Sequence, residues 1–252
     1  MIYITGDTHG EYSRFNSKNF YEQKEMTKDD YVIICGDFGG IWDVGQEGKR
    51  EKYWLDWFEE RPFSLLFIDG NHENFDRLKG YKEMEWNGGK VHEIRPDILH
   101  LMRGQVFEIC GKKIFTFGGA SSHDITGGIL DKDDPDYKKK KKTLDRDYIP
   151  YRIKHLTWWE EELANEEEME EGRRNLRAHD NTVDYIITHC CSTGTQNLIE
   201  GERLYEPDRE TDYLESIKDQ VDYSKWFFGH YHDNKNINDK ELLLYEQIIR
   251  IA

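Results

Sequence analysis

An α/β fold built on parallel strands is what this chain predicts, and three observations carry that expectation. First, Ile2-Tyr3-Ile4-Thr5, Tyr31-Val32-Ile33-Ile34-Cys35 and Phe63-Ser64-Leu65-Leu66-Phe67-Ile68 are apolar runs of strand length, as strands covered on both faces should be. Second, the connections between them are long enough for crossovers, which implies parallel pairing with right-handed connections. Third, the runs end in glycines and acids or amides, which places polar chemistry at the rim of a sheet.

Taken in order, residues 13–29 are polar with scattered aromatics and suit a helix and loop crossing to the second strand. Residues 47–60 carry Tyr53, Trp54, Trp57 and Phe58, an aromatic stripe at helical spacing that reads as core. A short helix runs through Leu78. Val91 to Ile94, Ile98 to Leu101, Gln105 to Ile109 and Lys113 to Phe117 then read as a meander, the last two joined by a hairpin at Cys110-Gly111-Lys112. Residues 121–157, with the lysine run Lys138 to Lys142, read as a surface insertion whose lysines form a solvated loop balanced by nearby acids. Two capping-box patterns, Thr157-x-x-Glu160 and Asn165-x-x-Glu168, predict consecutive helices that break near Asn165. Trp158-Trp159 is expected to pack on the core or close the site. A helix over residues 211–220 and two short closing strands in residues 241–251 complete one domain spanning residues 1–252.

The 252 residues carry 35 Lys and Arg against 51 Asp and Glu, a net charge of −16, which argues against broad binding to nucleic acid or anionic membrane. No apolar run approaches the roughly 20 residues that span a bilayer, and the start of the chain has no signal-peptide pattern, so a cytoplasmic location is expected. Cys35, Cys110, Cys190 and Cys191 lack metal or redox spacing and read as reduced residues, three of them in or beside apolar strands.

Five strand ends deliver residues with chemistry: Gly6-Asp7-Thr8-His9, Gly36-Asp37, Gly70-Asn71-His72-Glu73, Thr188-His189 and Gly229-His230-Tyr231-His232. Singly, each has a tamer reading as a turn residue or a satisfied core histidine. Together, metal-binding residue types at five strand ends have no explanation in turn chemistry. In this order they resemble the calcineurin-like metallophosphoesterases, and the resemblance covers almost the whole chain. It implies a four-layer α/β/β/α sandwich with a mixed sheet. It also implies a first metal held by Asp7, His9 and His232, a second held by Asn71, His189 and His230, and Asp37 bridging them. His72, beside a ligand, would point at substrate and act as the acid. The implied cofactors are two divalent ions, manganese first, with iron, zinc or nickel as alternatives.

The implied function is hydrolysis of a phosphoester, as a phosphatase or phosphodiesterase, by a metal-bridging hydroxide. Its rivals are a nuclease, for which nucleic acid would be a partner only as substrate, and a noncatalytic metal- or partner-binding protein. One departure bears on substrate. Where the Ser/Thr protein phosphatase branch follows its Gly-Asp with Asp-Arg-Gly, Asp37 is followed by Phe38-Gly39-Gly40-Ile41-Trp42, so a carboxylate to orient His72 and a phosphate-binding arginine are both missing. Phe117-Gly118-Gly119-Ala120-Ser121-Ser122-His123-Asp124 with Trp158-Trp159-Glu160-Glu161 is similar to a group of bacterial and phage metallophosphoesterases. His123 and Asp124 read equally as a turn and stay outside the candidate site.

Overall fold

The structure, a computed structural model, describes residues 1–199 and 205–252. Strands β1 (Ile2–Thr5), β2 (Tyr31–Ile34) and β3 (Ser64–Phe67) pair in parallel, with Ile4 opposite Ile33 and Ile33 opposite Leu66. Helix α1 (Lys49–Glu59) fills the second connection, and the short α2 (Phe75–Leu78) follows β3. Next come β4 (Lys82–Trp86), β5 (Gly89–Arg95) and β6 (Ile98–Leu101). β6 is parallel to β3 and antiparallel to β5.

The hairpin of β7 (Gln105–Ile109) and β8 (Lys112–Phe117) begins a second sheet. After β9 (Ile129–Leu130), α3 (Tyr137–Asp147), β10 (Arg152–Ile153) and α4 (Glu166–Ala178), that sheet gains β11 (Thr182–Thr188). Then follow α5 (Thr193–Ile199), α6 (Arg209–Gln220), β12 (Asp222–Phe228), β13 (Lys235–Asn236), β14 (Glu241–Leu243) and β15 (Ile248–Arg250). The final orders are β15-β1-β2-β3-β6-β5-β4 and β13-β14-β12-β11-β8-β7, both mixed.

Side-chain alternation turns these sheets into layers, because successive residues of a strand face opposite ways. Ile2, Ile4, Ile33 and Leu66 join Ile114, Ile187 and Phe227 in the core between the sheets. Their neighbours Tyr3, Val32, Ile34, Leu65 and Phe67 face outward onto Leu55 and Phe58 of α1. On the other side Phe115, Phe117, Ile186, Trp226 and Phe228 meet Met169 and Leu176 of α4 and Leu214 and Ile217 of α6. Three apolar interfaces therefore separate four layers, in the α/β/β/α order that the resemblance implies. No helix among the described residues is long and apolar enough to cross a membrane.

Several local expectations change. The apparent meander is split: β6 lies in the first sheet and β7 opens the second, because a Met102-Arg103-Gly104 turn carries the chain across. Residues 13–29 form two short 3-10 helices, Ser13–Phe15 and Tyr21–Glu25. Tyr53 lies off the aromatic stripe, being 60% exposed, while Leu55 joins Phe58 in the core. Residues 121–157 are no loop, for the lysine run lies on α3, where Lys140 pairs with Asp134 and Lys141 with Asp145. The balancing acids are as expected. Asn165 does form a capping box with Glu168. Thr157 starts no α-helix; its hydroxyl instead accepts from the Ile153 N–H, and only a 3-10 turn, Glu160–Glu162, follows. The four cysteines are free, and all but Cys110 are buried.

One buried ion network supports the rim. Asp69, at the end of β3, accepts from Arg103 Nε at 2.8 Å and Nη2 at 2.5 Å, and its other oxygen lies 3.0 Å from His100 Nε2. The guanidinium holds the Asp69 carboxyl well below the usual range against its burial. Substituting Arg103→Met strands that charge and is expected to cost about 3–5 kcal/mol, read as a lower urea midpoint. An unchanged midpoint would mean that the pair contributes nothing.

Candidate metal centre

The residues after β1 (Asp7, His9), β2 (Asp37) and β3 (Asn71, His72) come from the first sheet, and those after β11 (His189) and β12 (His230, His232) from the second. They meet where the carboxyl ends of the two sets face each other. His232 Nε2 lies 3.2 Å from Asp7 Oδ2, and His9 Nε2 lies 3.8 Å from the same oxygen. Asp37 Oδ2 is 3.6 Å from His9 Nε2 and 3.5 Å from His189 Nε2, which is itself 3.2 Å from Asn71 Oδ1. Three sets of possible ligand atoms each fall within 4.8 Å: Asp7, His9 and His232; His9, Asp37 and His72; Asp7, Asp37 and His189. Because Asp7, His9 and Asp37 recur, these sets form one cluster.

His230 is placed differently. Its backbone N–H donates to both Asp7 oxygens at 2.9 and 3.0 Å, while its ring Nε2 lies 2.7 Å from His123 Nε2. The ring is outside the three sets, although its centroid is 5.0 Å from that of His189. His72 is nearer to the cluster than a residue pointing wholly away from it. Its N–H donates to Asp37 Oδ1 at 2.7 Å, and its ring packs edge-on to His9 at 5.2 Å.

Such crowding requires unusual backbone. His9, Asp37, His230 and His232 have φ of 45°, 49°, 69° and 48°, left-handed values that cost a non-glycine residue on the order of 1–3 kcal/mol. Close approach explains two glycines. A Cβ on Gly70 would lie 2.1 Å from Asp37 Oδ1, and one on Gly36, already at φ +91°, would lie 2.1 Å from His189 Nδ1.

Burial opposes charge on His189, but the carboxylates of Asp37 and Asp7 override it and push its pKa up to about 10. In turn, Asp37, though fully desolvated, is held well below the usual carboxylate range by the imidazoles of His189, His72 and His9. Burial lowers His9, and it lowers His230 strongly with help from His189 and His123, so both offer neutral nitrogen. The hydrogen bond to Asp7 raises His232. Two carboxylates, an amide oxygen and neutral or displaceable imidazoles are the donor chemistry of a site for borderline divalent metals, and here they sit close enough to share one.

Two supporting groups fix this arrangement. Glu73 accepts from the Phe38 N–H at 2.8 Å and so clamps the loop after Asp37; burial and the Asp37 charge raise its pKa well above normal. Asn71 Nδ2 donates to Ser122 Oγ at 3.2 Å, and that hydroxyl is bonded to Glu162 at 2.9 Å. This relay turns the amide oxygen of Asn71 toward His189. Ser122, Glu162, His123 and Arg152, which faces His72, were absent from the sequence-derived candidate set. The Ser121-Ser122-His123-Asp124 and Trp158-Trp159-Glu160-Glu161 segments were its available signal. Trp159 is buried with its Nε1 donating to Asp76 and its ring against Trp42, which packs the second segment beside the site.

Burial lifts Glu162 to about 8. The unfolded chain releases this proton near pH 4.5, whereas the folded chain keeps it, so Glu162 destabilises the fold increasingly as pH rises from about 4.5 to about 8. Glu162→Gln should therefore raise the melting temperature at pH 8.5 relative to wild type and leave it nearly unchanged at pH 4.5. Equal shifts at both pH values would contradict the raised pKa.

A family model described as calcineurin-like phosphoesterase matches residues 1–234. Lariat debranching enzyme A of Xenopus laevis is 27% identical over 151 residues, covering 55% of this chain and 27% of that protein. The lariat debranching enzyme of Danio rerio is 25% identical over 140 residues, 50% of this chain and 23% of its own length. The matched stretch thus spans about a quarter of these relatives. Among solved structures, the phosphopantetheinyl hydrolase of Mycobacterium tuberculosis aligns with 97% of this chain and 87% of its own at a TM-score of 0.44 and 11% identity. Since the family match runs through every candidate donor from Asp7 to His232, the chain belongs to the calcineurin-like phosphoesterase family.

Proposed function

We propose that this protein hydrolyses a phosphoester at a dinuclear metal centre. The observation that carries the reading is the sharing of Asp7, His9 and Asp37 among three overlapping donor sets, the arrangement two adjacent cations require. Asp7, His9 and His232 would hold one ion, Asn71, His189 and His230 the other, and Asp37 both; manganese is the first expectation. Two divalent cations, when bound, acidify the attacking water and neutralise charge developing on the phosphoryl oxygens.

The chain's own residues do the rest. Asp37 Oδ1 is occupied by the His72 N–H, which leaves Oδ2 facing His9 and His189. Asp7 is oriented by two contacts from the His230 N–H. Burial and the neighbouring Arg152 charge lower the pKa of His72 against the pull of Asp37. The acid role belongs to its imidazolium, whose proton would go to the leaving oxygen of the ester. A cavity of about 340 Å³ opens beside His9 and His72 and is lined by Tyr12, Trp42, Trp54 and Arg50. Because the acid borders this cavity, the group it receives is the group that leaves. A nuclease is the weaker reading, since two lysines of α3 that would track a polyanion are paired with their own acids.

Asp37→Asn should abolish more than 99% of turnover of an aryl phosphoester and lower manganese occupancy, with roughly two ions per chain in wild type by elemental analysis. His72→Ala should cut turnover by about 10²–10⁴-fold with both ions retained. Fewer than two ions in active protein would sink the dinuclear reading. Metal uptake must also displace the His189 proton, which is bound up to about pH 10. Manganese titrations at pH 7 and pH 9 should therefore show tighter binding at the higher pH, with the His189 proton released at both. A pH-independent affinity would contradict a protonated His189.

A further inference from the structure

An arginine far away in sequence faces His72. Arg152 opens β10, which pairs with β9, and its side chain is 14% exposed. Nε donates to Asp124 Oδ1 at 2.7 Å, which anchors the guanidinium from behind. Its forward fork meets His72, with Nη1 3.4 Å from Nδ1 and Nη2 3.3 Å from Nε2. Nη1 has one other acceptor, the Thr157 carbonyl, also at 3.4 Å.

His72 cannot satisfy this fork. An imidazole accepts at one nitrogen at most, its two nitrogens point apart, and both distances lie beyond the usual 2.7–3.2 Å range. A guanidinium fork matches instead a pair of phosphate oxygens. Here it lies against His72, which shares a donor set with His9 and Asp37. Among the described residues, Arg14 also lies close to the donors, but it is committed to the carbonyls of Gly6, Asp7 and Tyr245 and to the Thr5 hydroxyl.

We propose that Arg152 binds the terminal phosphate of a phosphomonoester and sets a preference for monoesters over diesters. The proposal rests on the hydrolase reading above. A monoester presents three terminal oxygens and two negative charges, whereas a diester presents two oxygens and one charge. Two cations, where bound, would supply the charge a diester needs, and the fork of Arg152 would serve the additional oxygen and charge of a monoester. Arg50 is the rival cation, because it is exposed on the rim of the same cavity.

The test compares manganese-loaded wild type, Arg152→Ala, Arg152→Lys and Arg50→Ala on p-nitrophenyl phosphate and bis(p-nitrophenyl) phosphate, with metal content measured in each. Arg152→Ala should lose about ten- to a hundredfold in kcat/KM on the monoester, the factor carried by charge-assisted hydrogen bonds, and less than threefold on the diester. Arg152→Lys should recover only part, and added guanidinium ion should rescue Arg152→Ala, which a merely structural role would not allow. Equal losses on both esters, no loss, no rescue with both metals bound, or the monoester loss appearing in Arg50→Ala instead would overturn the proposal. Calorimetric binding of inorganic phosphate is the second readout. Wild type inactive on both esters would defeat the hydrolase reading alone, whereas phosphate binding unaltered by Arg152→Ala would defeat the role of Arg152.

Discussion

Two buried carboxylates held side by side without solvent are the constraint on which the rest of this molecule depends. Asp7 and Asp37 are 0% and 1% exposed, and isolated charges in such surroundings would cost several kcal/mol each. The compensation comes from imidazole, above all the proton on His189, and from N–H groups of His72 and His230 that point at the carboxylates. The strained left-handed residues are a consequence of the same demand. These residues lie past the strand ends, where the backbone turns sharply and brings donors from five segments to one point.

The counter-charge comes from the opposite sheet, and this ties the centre to the fold. The first sheet supplies both acids, and the second supplies His189, His230 and His232. His189 Nδ1 reaches the Cys35 carbonyl at 2.8 Å, while the ring occupies the space left by the missing side chain of Gly36. Closing the apolar interface between the sheets and neutralising the acids are thus one event. A cluster so assembled cannot relax gradually, since separating the sheets exposes the core and strands the charges together.

What the sequence revealed follows from this local grammar. Each donor sits just after an apolar run, so Asp7, Asp37, Asn71, His189 and His232 could be picked out from the residues preceding them. Periodicity likewise located α1, the β7–β8 hairpin and the Asn165 cap. Contacts distant in sequence escaped. Arg152 meets His72 across 80 positions, and Ser122 meets Glu162 across 40. No local pattern encodes either. Thr157 shows the converse, for its capping pattern is genuine as sequence, but its hydroxyl is drawn instead to the Ile153 N–H, which stabilises the turn after β10. Tyr53 fell off its stripe because α1 presents a narrower apolar face than four neighbouring aromatics suggest.

The segment between β8 and α4 holds most of what the shared motifs lack. It contributes Ser122 and Glu162, which aim Asn71, and Arg152, whose fork faces His72. Its own charges are settled locally: Lys140 on Asp134, Lys141 on Asp145, Arg146 on Asp147. In a chain of net charge −16, a free cation near the site would be drawn to surface acids unless it was held. Asp124 does that holding through Nε alone, a geometry that commits one face of the guanidinium and keeps the other two nitrogens directed inward. This segment can therefore vary around the site while the candidate donors on the strand ends stay as they are.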